Sequence, residues 1–178
     1  MKIFYLTLLA AFQISLNAAP KKVGYPSFLS PHARPILAHE GRVFVANTPS
    51  DSVDVIDAKT RKIIRRIPVG IDPVSLALRP DGRELWVANH VSDSVSVIDT
   101  NPESRTYLRV VDTVQDFDLR AKATRFDEPV GIAFANNEKA YVALSSENKI
   151  AIIDVRSRKV RRHLNICLLY TSPSPRDS

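Results

Sequence analysis

Short apolar runs separated by polar turns recur along this chain. Val43 to Asn47 is rich in β-forming residues, Thr48 to Ser52 is polar, and Val53 to Asp57 returns to a mainly apolar run. The pattern comes back from Leu85 to Asp99 and, more loosely, from Ala140 to Asp154. Phe44, Trp86 and Tyr141 hold one equivalent place in the first run. Val53/Val55, Val95/Val97 and Ile150/Ile152 match in the second. Runs of this length, bounded by Ser, Asp, Asn and Pro, predict antiparallel hairpins. Asp51, Asp93 and Asn148 share one place in the turns. Asp and Asn suit it because their side chains bond nearby backbone and tolerate left-handed conformations.

A further strand is predicted on each side of every hairpin. Pro35 to His39, Pro73 to Leu78 and Pro129 to Phe134 precede them, and Lys62 to Ile67, Tyr107 to Val111 and Val160 to Leu164 follow. Asp57 and Asp99 lie 42 residues apart, and Asp99 and Asp154 lie 55 apart. Self-similarity at this period marks a stacked or circular array, and four antiparallel strands in about 40 residues make the blade of a β-propeller. The expected fold is therefore all-β, with about three four-stranded blades at 31–70, 71–114 and 125–165, an incomplete ring. Inner runs such as Leu85 to Ala88 are apolar throughout, as expected where neighbouring blades cover both faces of a sheet. Asp57, Asp99 and Asp154, one per blade, are expected to start the turn into the outer strand.

The repeats resemble the YVTN family of β-propellers. Phe44-Val-Ala-Asn47, Trp86-Val-Ala-Asn89 and Tyr141-Val-Ala-Leu144 stand where that family has Tyr-Val-Thr-Asn. Val55-Ile-Asp-Ala58 and Val97-Ile-Asp-Thr100 match its next strand, and Ile67-Pro-Val-Gly70 its usual close. The resemblance covers about Pro31 to Asn165, and the third copy departs from it at Leu144. It implies a seven-bladed, usually exported propeller and leaves the activity open.

Met1 to Ala19 reads as a secretory signal: Lys2 supplies the positive start, Ile3 to Leu16 the apolar core, and Ala18 and Ala19 the small residues for cleavage. The stretch is short for a membrane span. Residues 20–30 form a lead-in linker. The 13 residues by which the second interval exceeds the first fall between Asn101 and Glu128, and part of them form an inserted loop at about 115–124. Gln115 to Arg125 has mixed charge and neither Gly nor Pro, which predicts one or two helical turns. The insertion is expected on the same face as the hairpin turns, where long loops on a rigid scaffold tend to bind. Cys167 to Asp177 resembles an in-frame translation of the transposon-end adapter used in sequencing libraries. On that reading residues 167–178 are not native and the natural chain continues beyond about Ile166.

Composition narrows the chemistry. The one cysteine of the chain, Cys167, lies in that tail, so no disulfide, thiolate site or haem-attachment motif is expected before it. The net charge of +6 invites an anionic partner. Its basic residues gather in the outer strands, however: Lys59, Arg61, Lys62, Arg65 and Arg66 in blade one, and Arg156, Arg158, Lys159, Arg161 and Arg162 in blade three. Such charges block edge-to-edge pairing, and no aromatic residues interleave them as a single-stranded nucleic acid would require. His32, His39, His90 and His163 show no metal-motif spacing, and no triad, phosphate loop or zinc-hydrolase motif is present.

The candidate ligand-binding residues are those of the hairpin turns: Asn47, Asp51, Asn89, His90, Asp93, Glu147 and Asn148. Converging carboxylates there would hold a cation or a hydroxylated ligand; the alternative is that they only stabilise the turns. Two functions follow. The first is an exported, non-catalytic scaffold taking a protein, a cell-envelope polymer or a small ligand on the propeller face, with no nucleic acid, no membrane span after signal cleavage, and no cofactor, metal or catalytic residue in this fragment. The alternative is the propeller portion of a periplasmic haem- or quinone-linked redox enzyme, or of a lactonase-like enzyme, with its catalytic residues in the missing C-terminal part.

Overall fold

The computed structural model describes Ser30 and residues 32–166. The signal, most of the lead-in and the adapter-like tail lie outside them. Three four-stranded antiparallel sheets follow one another, each in plain meander order. Blade one holds β1 (Ile36–His39), β2 (Arg42–Asn47), β3 (Ser52–Asp57) and β4 (Ile63–Pro68). Blade two holds β5 (Pro73–Leu78), β6 (Glu84–Asn89), β7 (Ser94–Asp99) and β8 (Val110–Val114). A two-stranded ribbon, β9 (Phe117–Asp118) and β10 (Ala123–Thr124), comes next. Blade three holds β11 (Pro129–Phe134), β12 (Lys139–Leu144), β13 (Lys149–Asp154) and β14 (Lys159–Asn165). The single helical feature among the described residues is a 3₁₀ turn, Thr48–Ser50.

The register repeats from blade to blade. Phe44 pairs with Val55, Trp86 with Val97, and Tyr141 with Ile152. The pairing of the third and fourth strands shifts by a bulge at Val55/Ile56, at Val97/Ile98 and at Ile152/Ile153. A bulge at one fixed place adds twist to every blade alike. The β1–β2 hairpin closes through Glu40 and Gly41, both at positive φ (44° and 71°), the combination that a two-residue turn requires.

Packing follows from alternation along each strand. On β6, Leu85 and Val87 join Phe44, Val53 and Val55 of blade one in one core, while Trp86 joins Val142 and Ile153 of blade three in a second. All six residues of β7 are buried, whereas β2 and β12 alternate between buried and half-buried. The middle blade has a neighbour on each face, so its three inner strands β5, β6 and β7 are buried almost throughout. Trp86 meets Phe134 edge to face at 5.2 Å, and its indole N–H donates to Glu84. Glu84 also receives Arg79 of its own blade and Arg158 of blade three.

Two expectations are corrected. The outer strand of blade two runs over Val110–Val114, not Tyr107 to Val111. Ten residues, against five in blade one, precede it after the third strand, and Thr106 Oγ1 and the backbone N–H of Asn101 and Leu108 are all drawn to Asp99. Residues 115–125 form the ribbon instead of helical turns. Asp118 Oδ1 accepts the N–H groups of Arg120 and Ala121, and Arg125 reaches back to Asp116. Such side-chain capture of backbone donors competes with helix formation, and a segment this short has little helical stability of its own.

Candidate functional site

The hairpin turns and the connections between blades lie on one face. There Asp51 and Asp93 do the same work in successive blades. Each stands in the left-handed region, at φ 49° and 48°. The carboxylate of Asp51 accepts the N–H of Asp72, and that of Asp93 accepts the N–H of Glu128, in each case at the entry to the next blade. The N–H of His90 then bonds the carbonyl of Asp72, and that of Ser145 bonds the carbonyl of Glu128. These carboxylates fasten blade to blade. Asn148, at φ 49° in blade three, accepts the N–H of Ile166 through its carbonyl.

The other sequence candidates are similarly engaged. Asn47 donates to Asp54, which Arg66 also grips at 2.6 and 2.9 Å. That contact, with the Asn47 bond, holds the Asp54 carboxyl below its ordinary range despite burial. Asn89 is fully buried; its amide N–H₂ bridges Ser94 and Ser96. A Cβ on Gly70 would lie 2.6 Å from the Asn89 amide nitrogen and 2.4 Å from Ser92 Oγ, so the blade connection passes there only as glycine. His90 is buried, with Nδ1 lacking a hydrogen-bond partner among the described residues. Glu147 takes the ammonium of Lys149. Among the described residues no three His, Cys, Asp or Glu side chains are grouped closely enough to hold a metal ion.

Asp93 is the turn carboxyl with a perturbed titration. Burial pushes it upward, and the neighbouring Asp127 and Glu128 push it further, against the lowering effect of the Glu128 N–H. Ser146 of blade three donates to Asp127 at 2.6 Å, so the blade two–blade three seam is a hydrogen-bonded acidic cluster.

What the turn candidates leave open, the ribbon supplies. An open cavity of about 310 Å³ lies between the ribbon and the β6–β7 turn, lined by Ser92, Asp93, Gln115, Phe117, Lys122 and Thr124. Phe117 is 55% exposed and Leu119 is 84% exposed. Val91 in the same turn is exposed as well, and so is Ile71, whose N–H donates to Ser92. The turn motif had not pointed to Phe117 and Leu119. Their i, i+2 spacing within a charged loop was the available sign, since it is the period of a strand.

Three successive antiparallel four-stranded blades, packed face to face and fastened at a turn face, define an incomplete β-propeller. The model of the YNCE-like beta-propeller family matches residues 22–127, more than half of the chain, and the chain belongs to that family. Among solved structures it is similar to the hydrazine synthase of Kuenenia stuttgartiensis, with 28% identity and a TM-score of 0.59 over 80% of this chain and 38% of that one. It is also similar to the Cps50 (Swd1) β-propeller domain of Myceliophteria thermophila, with 18% identity and a TM-score of 0.59 over 75% of this chain and 41% of that one. U3-55K gives 13% identity and a TM-score of 0.55 over 72% and 41%. The last two likenesses concern the fold alone. The chain spans about two fifths of the length of each of these structures. No curated protein sequence matches it. Among the described residues no helix is long and apolar enough to cross a membrane.

Proposed function

We propose that this chain is the propeller of an exported binding protein, and that it engages its partner with the face carrying the ribbon and the hairpin turns. The supporting observation is the ribbon itself: a ten-residue excess over the connection between blades one and two, placed against the blades, with Phe117 lining an open cavity and Leu119 exposed beside it in the chain. Loops held on such a scaffold are the usual seat of recognition. The turn carboxylates Asp51 and Asp93 serve as fasteners, which favours recognition by the ribbon over chemistry by the turns. Export rests on the signal-like Met1 to Ala19 segment. Cosedimentation of the full-length protein with the envelope fraction of its host tests the reading. Phe117→Ala with Leu119→Ser is expected to weaken cosedimentation with the melting temperature unchanged. Equal cosedimentation by that variant overturns it.

A second reading draws on the likeness to the hydrazine synthase, a 28% identical structure of which this chain spans 38%. On it, the propeller belongs to a larger enzyme whose reacting groups lie elsewhere. Sequencing the uninterrupted gene separates the two: Cys-x-x-Cys-His motifs downstream favour the enzyme, and further plain blades before a stop codon favour the binding protein.

A further inference from the structure

The ribbon cavity is one end of a longer groove. A second open cavity, of about 320 Å³, shares Ser92 and Gln115 with it and is floored by Ser94, Ser96 and Thr113. A third, of about 270 Å³, shares Pro68 and Val110 with the second and is bordered by Arg65, Arg66 and Arg109. Together they follow the seam between the outer strands β4 and β8. At a strand's rise per residue β8 alone spans roughly 17 Å, which suits a chain of several units better than one small molecule.

The lining changes along this length. At the rim end, Arg66 is clamped by Asp54, but Arg65 and Arg109 have no acidic partner among the described residues. At the ribbon end, Lys122 stands beside Phe117, also without an ion pair among the described residues. Between them the hydroxyls of Ser92, Ser94, Ser96 and Thr113 share the lining with Gln115 and with the apolar Pro68, Val69 and Val110. Ser96 Oγ accepts from Asn89 and from the N–H of Gly70, and Ser94 Oγ accepts from Asn89, so these hydroxyls are held in place from beneath. Asp93 is the one carboxylate on the whole path, and it is engaged by Glu128.

We infer that this groove binds an acidic polysaccharide, a chain of hydroxylated rings carrying carboxylates. Ser94 and Ser96 are buried beneath the groove, while the half-buried Ser92 and the exposed Thr113 and Gln115 offer donors and acceptors to sugar hydroxyls, the exposed Phe117 ring offers a flat apolar face to a sugar ring, and the free cations at both ends complement the carboxylates. A single-stranded nucleic acid fits poorly, because it would call for successive aromatic platforms and the groove has one aromatic at one end. The inference rests on the ribbon face being a binding surface, and it names the class of ligand.

Titration of the full-length protein with polygalacturonate, read by calorimetry or affinity electrophoresis, is the test. Neutral dextran, poly-glutamate and an oligothymidylate serve as comparisons. Polygalacturonate is expected to bind more tightly than all three. Arg65→Glu with Arg109→Glu is expected to weaken it about tenfold or more, and Phe117→Ala to weaken it separately, with the melting temperature retained in both variants. Equal or tighter binding of poly-glutamate or oligothymidylate overturns the inference, as does polygalacturonate binding indifferent to these substitutions. A folded protein that ignores polygalacturonate but still cosediments with envelope in a Phe117-dependent way overturns the ligand class and leaves the binding reading standing.

Discussion

At the scale of single residues, Asp93 shows how a repeated polar position couples structure to pH. Its carboxyl is pushed up by burial and by the nearby Asp127 and Glu128. A carboxyl whose folded pKa exceeds its unfolded value favours folding when protonated, so its contribution falls as pH rises from the unfolded toward the folded pKa and then levels. Asparagine there would still accept the Glu128 N–H through Oδ1 without a charge, and blade three already carries Asn148 at this place. Asp93→Asn is therefore expected to leave the melting temperature nearly unchanged at pH 3 and to raise it at pH 7. Thermal melts at the two pH values check this, and a difference independent of pH contradicts it. The repeat made Asp51, Asp93 and Asn148 visible in the sequence as turn residues. Asp72 and Glu128 also share a place, each immediately before the Pro-Val that opens a blade; that Asp51 and Asp93 bond their N–H groups was not legible, because donor and acceptor lie 21 and 35 residues apart. The burial of Asn89 was equally hidden: it depends on the close pass of Gly70 from another blade.

At the scale of elements, the hairpin β6–β7 separates core from surface within a few residues. Trp86 is fully buried between blades, while Val91 in the turn is 59% exposed. Trp86→Ala in the full-length protein is expected to cost about 3–5 kcal/mol through the cavity it leaves, and Val91→Ala to cost close to nothing. Denaturant unfolding of both variants compares them, and similar losses would place the wrong side chain in the seam. Strand identity and order were legible because each strand carries its own β-rich run and each turn its own Asp, Asn or Pro. The ribbon reads as helical turns in the sequence because the charged Asp116, Asp118, Arg120 and Lys122 conceal the strand period of Phe117 and Leu119. Asp118 decided the outcome by capping Arg120 and Ala121.

At the scale of the whole molecule, stability is shared between neighbours. Blade two is covered on both faces. The far face of blade three keeps Tyr141 and Ile152 half-buried, and that of blade one keeps Val43 and Val45 so. Repeat arrays draw much of their stability from such interfaces. A protein of residues 20–166 alone is accordingly expected to unfold over a broad range, with far-ultraviolet and tryptophan signals out of step, since Trp86 reports the best-covered seam. A sharp, reversible and coincident transition in a monomer contradicts this.

The sequence by itself determined the blade: its four strands, their order, their antiparallel arrangement and the place of each central hairpin turn, but not where the outer strand of blade two begins. All of these follow from local alternation and local turn chemistry, repeated three times. Only the tertiary structure decided which side of each strand meets which neighbour, which turn carboxylates fasten blades, and that the outer strands of blades one and two enclose a groove running to Phe117. Those features arise where residues far apart in the chain close on one another, and a pattern read along the chain carries no record of that distance.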